Sequence, residues 1–336
     1  MFDRPVIVAP MAGGPTTTAL IHAAARAGSL AFLPAGYRSV DAVAADIAAL
    51  TAAGVPYGLN LFVPDQPPAD IKAVERYRDT LRAEGERYGV ELPPVRPHDD
   101  DAFAAKAELA LDVRPPFVSF TFGVPPAALV GDLRAGGSVV LVTVTGADEA
   151  RAAVAGGADV LVVQGGEAGG HAGTADPGGY TGLRGVVDVL REVRAVVDVP
   201  LVGAGGVGTA ADVARIVAGG AVAVQVGTRF LAADEAGTRA PHLDALLADG
   251  AGGRGTVVTR AFTGRPARAL RNRFTDAYSA VAPLGYPAVH HLTAPIRAAA
   301  ARAGDAEALN LWAGTGYAHV RRGTTAAILD ELDPRG

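Results

Sequence analysis

Cysteine is absent from all 336 residues. Disulfides, thiolate nucleophiles and Cys-ligated zinc or iron–sulfur centres are thereby excluded, and any redox chemistry has to come from a bound cofactor. Lysine is almost absent too. Lys72 and Lys106 are the only two, and neither falls at a strand end, where a barrel aldolase would keep its reactive amine or an isomerase its acidic pair. Long basic runs are also lacking. With 30 basic against 35 acidic side chains the net charge is -5, so nucleic acid is not an expected partner. No apolar stretch reaches membrane-spanning length without a glycine or a charge, and the opening residues Met1 to Pro5 show no basic segment leading into an apolar one. The expectation is a cytoplasmic enzyme without a membrane partner.

What the chain does have is apolar residues, 49% of the total against 19% charged, enough for a well-filled core. They fall into eight short runs rich in Val, Ile, Leu and Phe, at residues 6–10, 30–34, 58–63, 117–122, 139–145, 160–164, 201–205 and 221–226. Most are followed by an Ala-rich amphipathic stretch, for example 17–27, 40–53, 147–155 and 210–218. Strand-then-helix repetition predicts parallel pairing, and eight repeats predict a closed (β/α)8 TIM barrel. Glycines after the helical stretches read as C′ residues.

Two segments exceed what a bare barrel needs. Residues 64–116 are an insertion after strand 3, predicted to hold helices at 70–84 and 101–111 joined by a Pro-rich acidic surface loop at 92–101. Residues 232–336 are predicted to form a C-terminal helical subdomain packed on the barrel, which itself occupies 1–231.

In a barrel of this kind the reactive groups stand where strands end. The ends here are unusually polar. Strand 1 runs into Pro10-Met11-Ala12, strand 3 carries Asn60, and strand 6 ends Gln164-Gly165-Gly166-Glu167-Ala168-Gly169-Gly170-His171. Strands 7 and 8 end in Gly205-Gly206 and Gln225-Val226-Gly227-Thr228. Glycines in the last two loops let backbone N–H groups approach an anion, and a helix beginning near Thr209 would add its positive end, so a phosphate-bearing cofactor is expected. Asn60 and Gln164 could hydrogen-bond the edge of a flavin ring, or each other's surroundings inside the barrel; a buried amide needs one or the other. His171, flanked by glycines, is the candidate catalytic base, whereas His22, His98, His242 and His319 read as surface or structural. Glu167 either orients His171 or caps a turn. Phe122, Tyr278 and Tyr286 are candidates for the pocket lining, and Met11 for packing under a ring.

The segment Gln164 to His171 resembles the nitronate monooxygenase family, formerly 2-nitropropane dioxygenase. The likeness continues through Ala9-Pro10-Met11, Gly58-Leu59-Asn60-Leu61, Ser119-Phe120-Thr121-Phe122-Gly123, Gly205-Gly206-Val207, Gln225 to Thr228 and Trp312-Ala313-Gly314. It implies non-covalent FMN held by Pro10, Met11, Ala12, Asn60, Gln164, Gly169, Gly205, Gly206, Gln225, Val226, Gly227 and Thr228, with His171 as the catalytic histidine and no metal. The implied reaction is oxidation of alkyl nitronates, or of nitroalkanes once His171 has deprotonated them, by O2 to a carbonyl compound and nitrite. Thr315 departs from the glutamine that many members carry after Trp-Ala-Gly. A flavin-dependent NAD(P)H enoyl-ACP or quinone reductase is the alternative within the same superfamily. Monomer and homodimer are both left open.

Overall fold

The computed structural model describes residues 4–64, 70–248 and 253–335. Eleven strands occur among them: β1 Val6–Val8, β2 Phe32–Pro34, β3 Gly58–Phe62, β4 Phe117–Thr121, β5 Val139–Val144, β6 Val160–Gln164, β7 Gly170–His171, β8 Leu201–Ala204, β9 Ala223–Val226, β10 Thr256–Thr259 and β11 Ala267–Leu270. Eight of them pair in parallel in the order β1-β9-β8-β6-β5-β4-β3-β2. A parallel bridge from Val8 to Ala31, with Val8 N donating to the Leu30 carbonyl at 2.9 Å, joins the two ends and closes the barrel. All eight runs read from the sequence are these strands.

The period of two along a strand sorts the side chains. Ile7, Phe32, Leu141, Val160, Val162, Val202 and Ala223 fill one cluster inside the barrel. Their neighbours Val6, Val8, Leu33, Val140, Val142, Leu161, Val163, Leu201 and Val224 belong to a larger cluster shared with the surrounding helices. Counting on by twos from the inward set brings Asn60, Ser119, Thr121, Thr143, Gln164 and Gln225 to the interior at or near the strand ends. These polar residues line one cavity there. Gly58 leaves room for an inward ring: a Cβ on it would lie 2.3 Å from Phe32.

Helices Thr18–Arg26, Val40–Ala52, Ala147–Ala155 and Ala210–Ala218 follow the sequence reading within a residue or so. Gly28, Gly54, Gly157 and Gly220, which follow them, all have positive φ, as a chain leaving a helix through the left-handed region requires.

The insertion differs from expectation at one point. Residues 70–84 do not form one helix; Asp70 caps Ile71–Thr80, and a second helix, Arg82–Tyr88, starts after Leu81. The Leu81 N–H is shared between the Tyr77 and Arg78 carbonyls, and the break buries Leu81 while bringing Glu84 to Arg273. The third helix is Phe103–Val113, and residues 65–69 of the insertion lie outside the described set.

The segment after β9 is not purely helical. β10 and β11 form an antiparallel hairpin, and β11 pairs antiparallel with β7. Helices Ala240–Ala248, Arg273–Tyr278 and Ala288–Arg302 build a second apolar cluster with the insertion, including Val74, Tyr77, Phe262, Phe274 and Leu292. The final helix, Thr325–Leu332, turns back to pack between Thr18–Arg26 and Ala210–Ala218, and its Ile328, Leu329 and Leu332 belong to the barrel cluster. Among the described residues no helix is long and apolar enough to cross a membrane.

Candidate active site

At the C-terminal ends of the barrel strands lies a cavity of about 930 Å³. Pro10, Met11, Ala12, Asn60, Gln164, Gly169, His171, Gly205, Gly206, Gln225, Val226, Gly227 and Thr228 all line it, so the candidate residues scattered along the sequence converge on one space.

His171 is held by its main chain. It sits in β7, opposite Ala267 of β11, and the next N–H, of Ala172, donates to the Pro266 carbonyl at 2.8 Å. On the other side Gln164 spans the loop: its Nε2 donates to the His171 carbonyl at 3.1 Å and its Oε1 accepts from Gly173 N–H at 2.7 Å. The amide at the end of β6 therefore has structural partners at both ends. Gln164→Ala should lower unfolding stability by about 1–2 kcal/mol, because a carbonyl and an N–H lose their partners together; a urea midpoint that falls at unchanged m would show it.

The His171 ring is surrounded by Phe122 and Tyr286, edge-on at 5.7 and 5.9 Å between centroids, and by Trp312 at 5.3 Å. Its Nε2 lies 2.8 Å from Thr263 Oγ1. That hydroxyl proton has a second acceptor, the Arg265 carbonyl at 3.3 Å. When it takes the carbonyl, Nε2 becomes the donor to Thr263 and Nδ1 is left as the basic nitrogen. Burial pushes the His171 pKa down to about 3, reinforced by the Arg265 and Arg297 charges, so the imidazole is neutral at physiological pH. Arg265 is fully buried, stacked 4.0 Å over Phe122 and donating to the Ala172 and Thr174 carbonyls. It fixes the chain just past His171.

Glu167 belongs to the helix, not to His171. Its carboxylate accepts from Val186 N–H at 2.9 Å, at the start of Val186–Arg194. Asn60 donates through Nδ2 to Ser119 Oγ at 2.9 Å and Thr121 Oγ1 at 3.1 Å, which leaves its carbonyl oxygen for the cavity.

The loop after β8 divides its N–H groups between two uses. The helix after β8 is closed by its own capping box: Asp212 Oδ2 accepts from the N–H groups of Gly208 and Thr209 at 3.0 Å each, and Thr209 caps Asp212 N–H. Those donors are spent on a carboxylate rather than left open to an anion. One step earlier, Gly205 and Gly206 have φ of +117° and +70°. Among the described residues the N–H groups of Gly206, Val207 and Thr228 have no protein acceptor.

Cavity residues that escaped the sequence reading include Tyr37, Arg239, Thr263, His290 and Arg297. So did the position of His242, which lines the same cavity and contacts the Trp312 carbonyl at 3.2 Å. Arg297 is 9% exposed, its guanidinium bound to Thr293 Oγ1, the His290 carbonyl and His290 Nδ1 with no carboxylate partner among the described residues. The spacing of seven between His290 and Arg297, two helical turns, was the available signal. Tyr278 does not line the cavity. It faces the second cluster, against Tyr77 and Phe274, and donates to Glu84 at 3.2 Å. Phe122 and Tyr286 pack around the His171 ring, and Met11 lines the cavity.

The family model described as nitronate monooxygenase fits residues 1–332. The chain belongs to the nitronate monooxygenase family. A probable nitronate monooxygenase of Staphylococcus aureus (strain Newman) is 32% identical over 319 residues, 93% of this chain and 88% of that one. Its counterpart in Staphylococcus saprophyticus is 31% identical over 334 residues, 98% and 93% of the two chains. The crystal structure of nitroalkane oxidase from Streptomyces ansochromogenes superposes with a TM-score of 0.92 at 43% identity, covering 98% of this chain and 95% of that one. FabK from Thermotoga maritima shares the fold, with a TM-score of 0.75 at 22% identity over 98% of this chain and 92% of its own. Membership of the nitronate monooxygenase family makes this protein a flavin oxidoreductase acting on nitro compounds.

Proposed function

We propose that the cavity binds FMN and that the protein oxidises alkyl nitronates with O2, releasing a carbonyl compound and nitrite. The observation that carries this reading is the convergence, in one 930 Å³ space, of unspent N–H donors in the loops after β8 and β9 with a neutral imidazole ringed by aromatics.

The residues fit the cofactor. Gly206, Val207 and Thr228 offer backbone donors to a phosphate, Pro10, Met11 and Ala12 offer an apolar floor, and Asn60 presents an acceptor to a ring edge. FMN, when bound, supplies the electron-transfer and O2 chemistry. Orientation and proton handling fall to the chain. An imidazole held near pKa 3, chiefly by burial, is a weak base, and the cations that reinforce the shift, Arg265 and Arg297, attract anions. Both features favour a nitronate, which needs no deprotonation, over a neutral nitroalkane. An anion bound beside His171 offsets those cations and raises its basicity.

The test is to mix the flavin-loaded protein anaerobically with ethylnitronate and, separately, with NADH or NADPH. Bleaching of the flavin by nitronate alone, and nitrite once air is admitted, is the expected result. Bleaching by a pyridine nucleotide with indifference to nitronate would move the assignment to a reductase, and failure to bind FMN would sink the cofactor reading.

A further inference from the structure

We propose that Asp101, reaching out of the insertion, is a positioning residue that holds Tyr37 as a wall of the cavity and so tunes which substrate fits. This rests on the proposed reaction taking place in that cavity.

Three non-glycine residues with positive φ meet at one contact: Tyr37 at +64°, Asp101 at +54° and Ala102 at +52°. For a bulky side chain such as tyrosine this conformation is unfavourable and persists only where the surroundings impose it. Here they do. The Tyr37 N–H donates to Asp101 Oδ1 at 2.9 Å across 64 residues of sequence. The second carboxylate oxygen is 2.8 Å from Lys106 Nζ, and Lys106 is 1% exposed. No other partner meets that amine among the described residues, so Asp101 is its counter-charge. A buried ammonium without one would be strongly destabilising. One oxygen is thus pinned by Lys106 and the other pins Tyr37. Asx-type contacts, Asp101 N–H to Asp99 Oδ1 and Ala102 N–H to Asp100 Oδ1, set the carboxylate's own loop.

Tyr37 transmits the constraint inward. Its ring stacks on His290 with centroids 4.4 Å apart and planes 4° apart, and meets Phe62 edge-on at 5.5 Å. Its hydroxyl is 3.4 Å from that of Tyr286, whose ring flanks His171. Tyr37, Phe62 and His290 line the cavity; Asp101 and Lys106 do not. An ion pair that merely fastened the insertion to the barrel would have no reason to end on the main chain of a left-handed cavity residue.

The test compares two double variants, so that no charge is left buried alone. Asp101→Ala/Lys106→Met removes the acceptor for Tyr37 N–H; Asp101→Asn/Lys106→Met keeps an oxygen there. In the flavin-loaded protein with labelled histidine, the His290 ring-proton shift reports the stack on Tyr37. The alanine form should lose that ring-current shift and raise KM for ethylnitronate about tenfold with kcat within threefold, and the asparagine form should restore both. An unmoved shift in the alanine form, or a moved shift with unchanged KM, would overturn the proposal. If the wild-type protein is inert toward ethylnitronate, the reaction reading has failed, while the ring shift still decides whether Asp101 places Tyr37.

Discussion

His171→Ala is expected to lower kcat/KM for neutral nitroalkanes by about a thousandfold, in line with the loss of a positioned general base, and to change kcat/KM for the corresponding nitronates by less than tenfold. The split follows from geometry. His171 lines the cavity with the strand clamp of β7, β11 and Gln164 holding its main chain, and of its ring nitrogens only Nε2 meets a protein partner among the described residues, Thr263 Oγ1. Steady-state oxygen uptake with each form of nitroethane measures the difference, and equal losses on both forms would assign His171 to binding instead. The pH dependence has a defined sign. A folded-state pKa of about 3, below the ordinary 6.5, leaves the base neutral from pH 9 down to about 5, so kcat/KM for the neutral substrate should show no acid limb near 6.5. Unfolded chain takes up the proton near 6.5 and folded chain only near 3. Stability is therefore lost as pH falls through that interval, and His171→Ala should flatten the fall in melting temperature over it.

The second large effect is expected at the proposed phosphate cradle. Gly205→Ala places a methyl group on a residue with φ +117°, a region L side chains rarely adopt, and sets it 2.9 Å from the Ala168 backbone nitrogen. Neither contact can relax by moving a flexible side chain. The strain alone is of order 2 kcal/mol, and the loop after β8 must shift to relieve it. The purified variant should carry little flavin, with the FMN dissociation constant raised at least thirtyfold by fluorescence titration. Gly137→Ala is the control: its φ is +94° with nothing within 4 Å of the new Cβ, remote from the cavity. It should share the backbone strain and keep its flavin. If both variants bind FMN as the wild type does, the cradle is misplaced.

The barrel was legible because parallel strands buried on both faces are written as continuous apolar runs, and Asn60, Gln164 and Gln225 stood out as polar residues within or at the ends of those runs. What could not be read was pairing over distance. The hairpin Thr256–Thr259 and Ala267–Leu270 is four residues per strand, too short for alternation to register, and one strand carries Arg268. That arginine is accommodated because its guanidinium donates to Thr256 across the hairpin and to the Gly166 and Gly182 carbonyls, acceptors far away in sequence. The same limit explains Tyr278. Its helix buries Phe274, Thr275 and Tyr278, and local sequence does not say whether that face meets the cavity or the second core. Lys106 was noticed for its rarity, but its burial and its tie to Tyr37 depend on a loop folding back over 64 residues.

The helix Thr325–Leu332 has a consequence for how the molecule is made. It lies between the helices that follow β1 and β8 and contributes to the barrel cluster, while Arg229 pairs with Glu331 and Arg4 with Asp330. Everything between β9 and this helix is an excursion from a ring whose final segment arrives late. During synthesis the eight strands can leave the ribosome and still lack the piece that seals their outer layer, so the nascent barrel stays exposed along one side until that helix emerges. Shortening the chain at this end would therefore leave a lasting gap in the barrel wall, and chaperone dependence should track the time between translation of β9 and of Leu332.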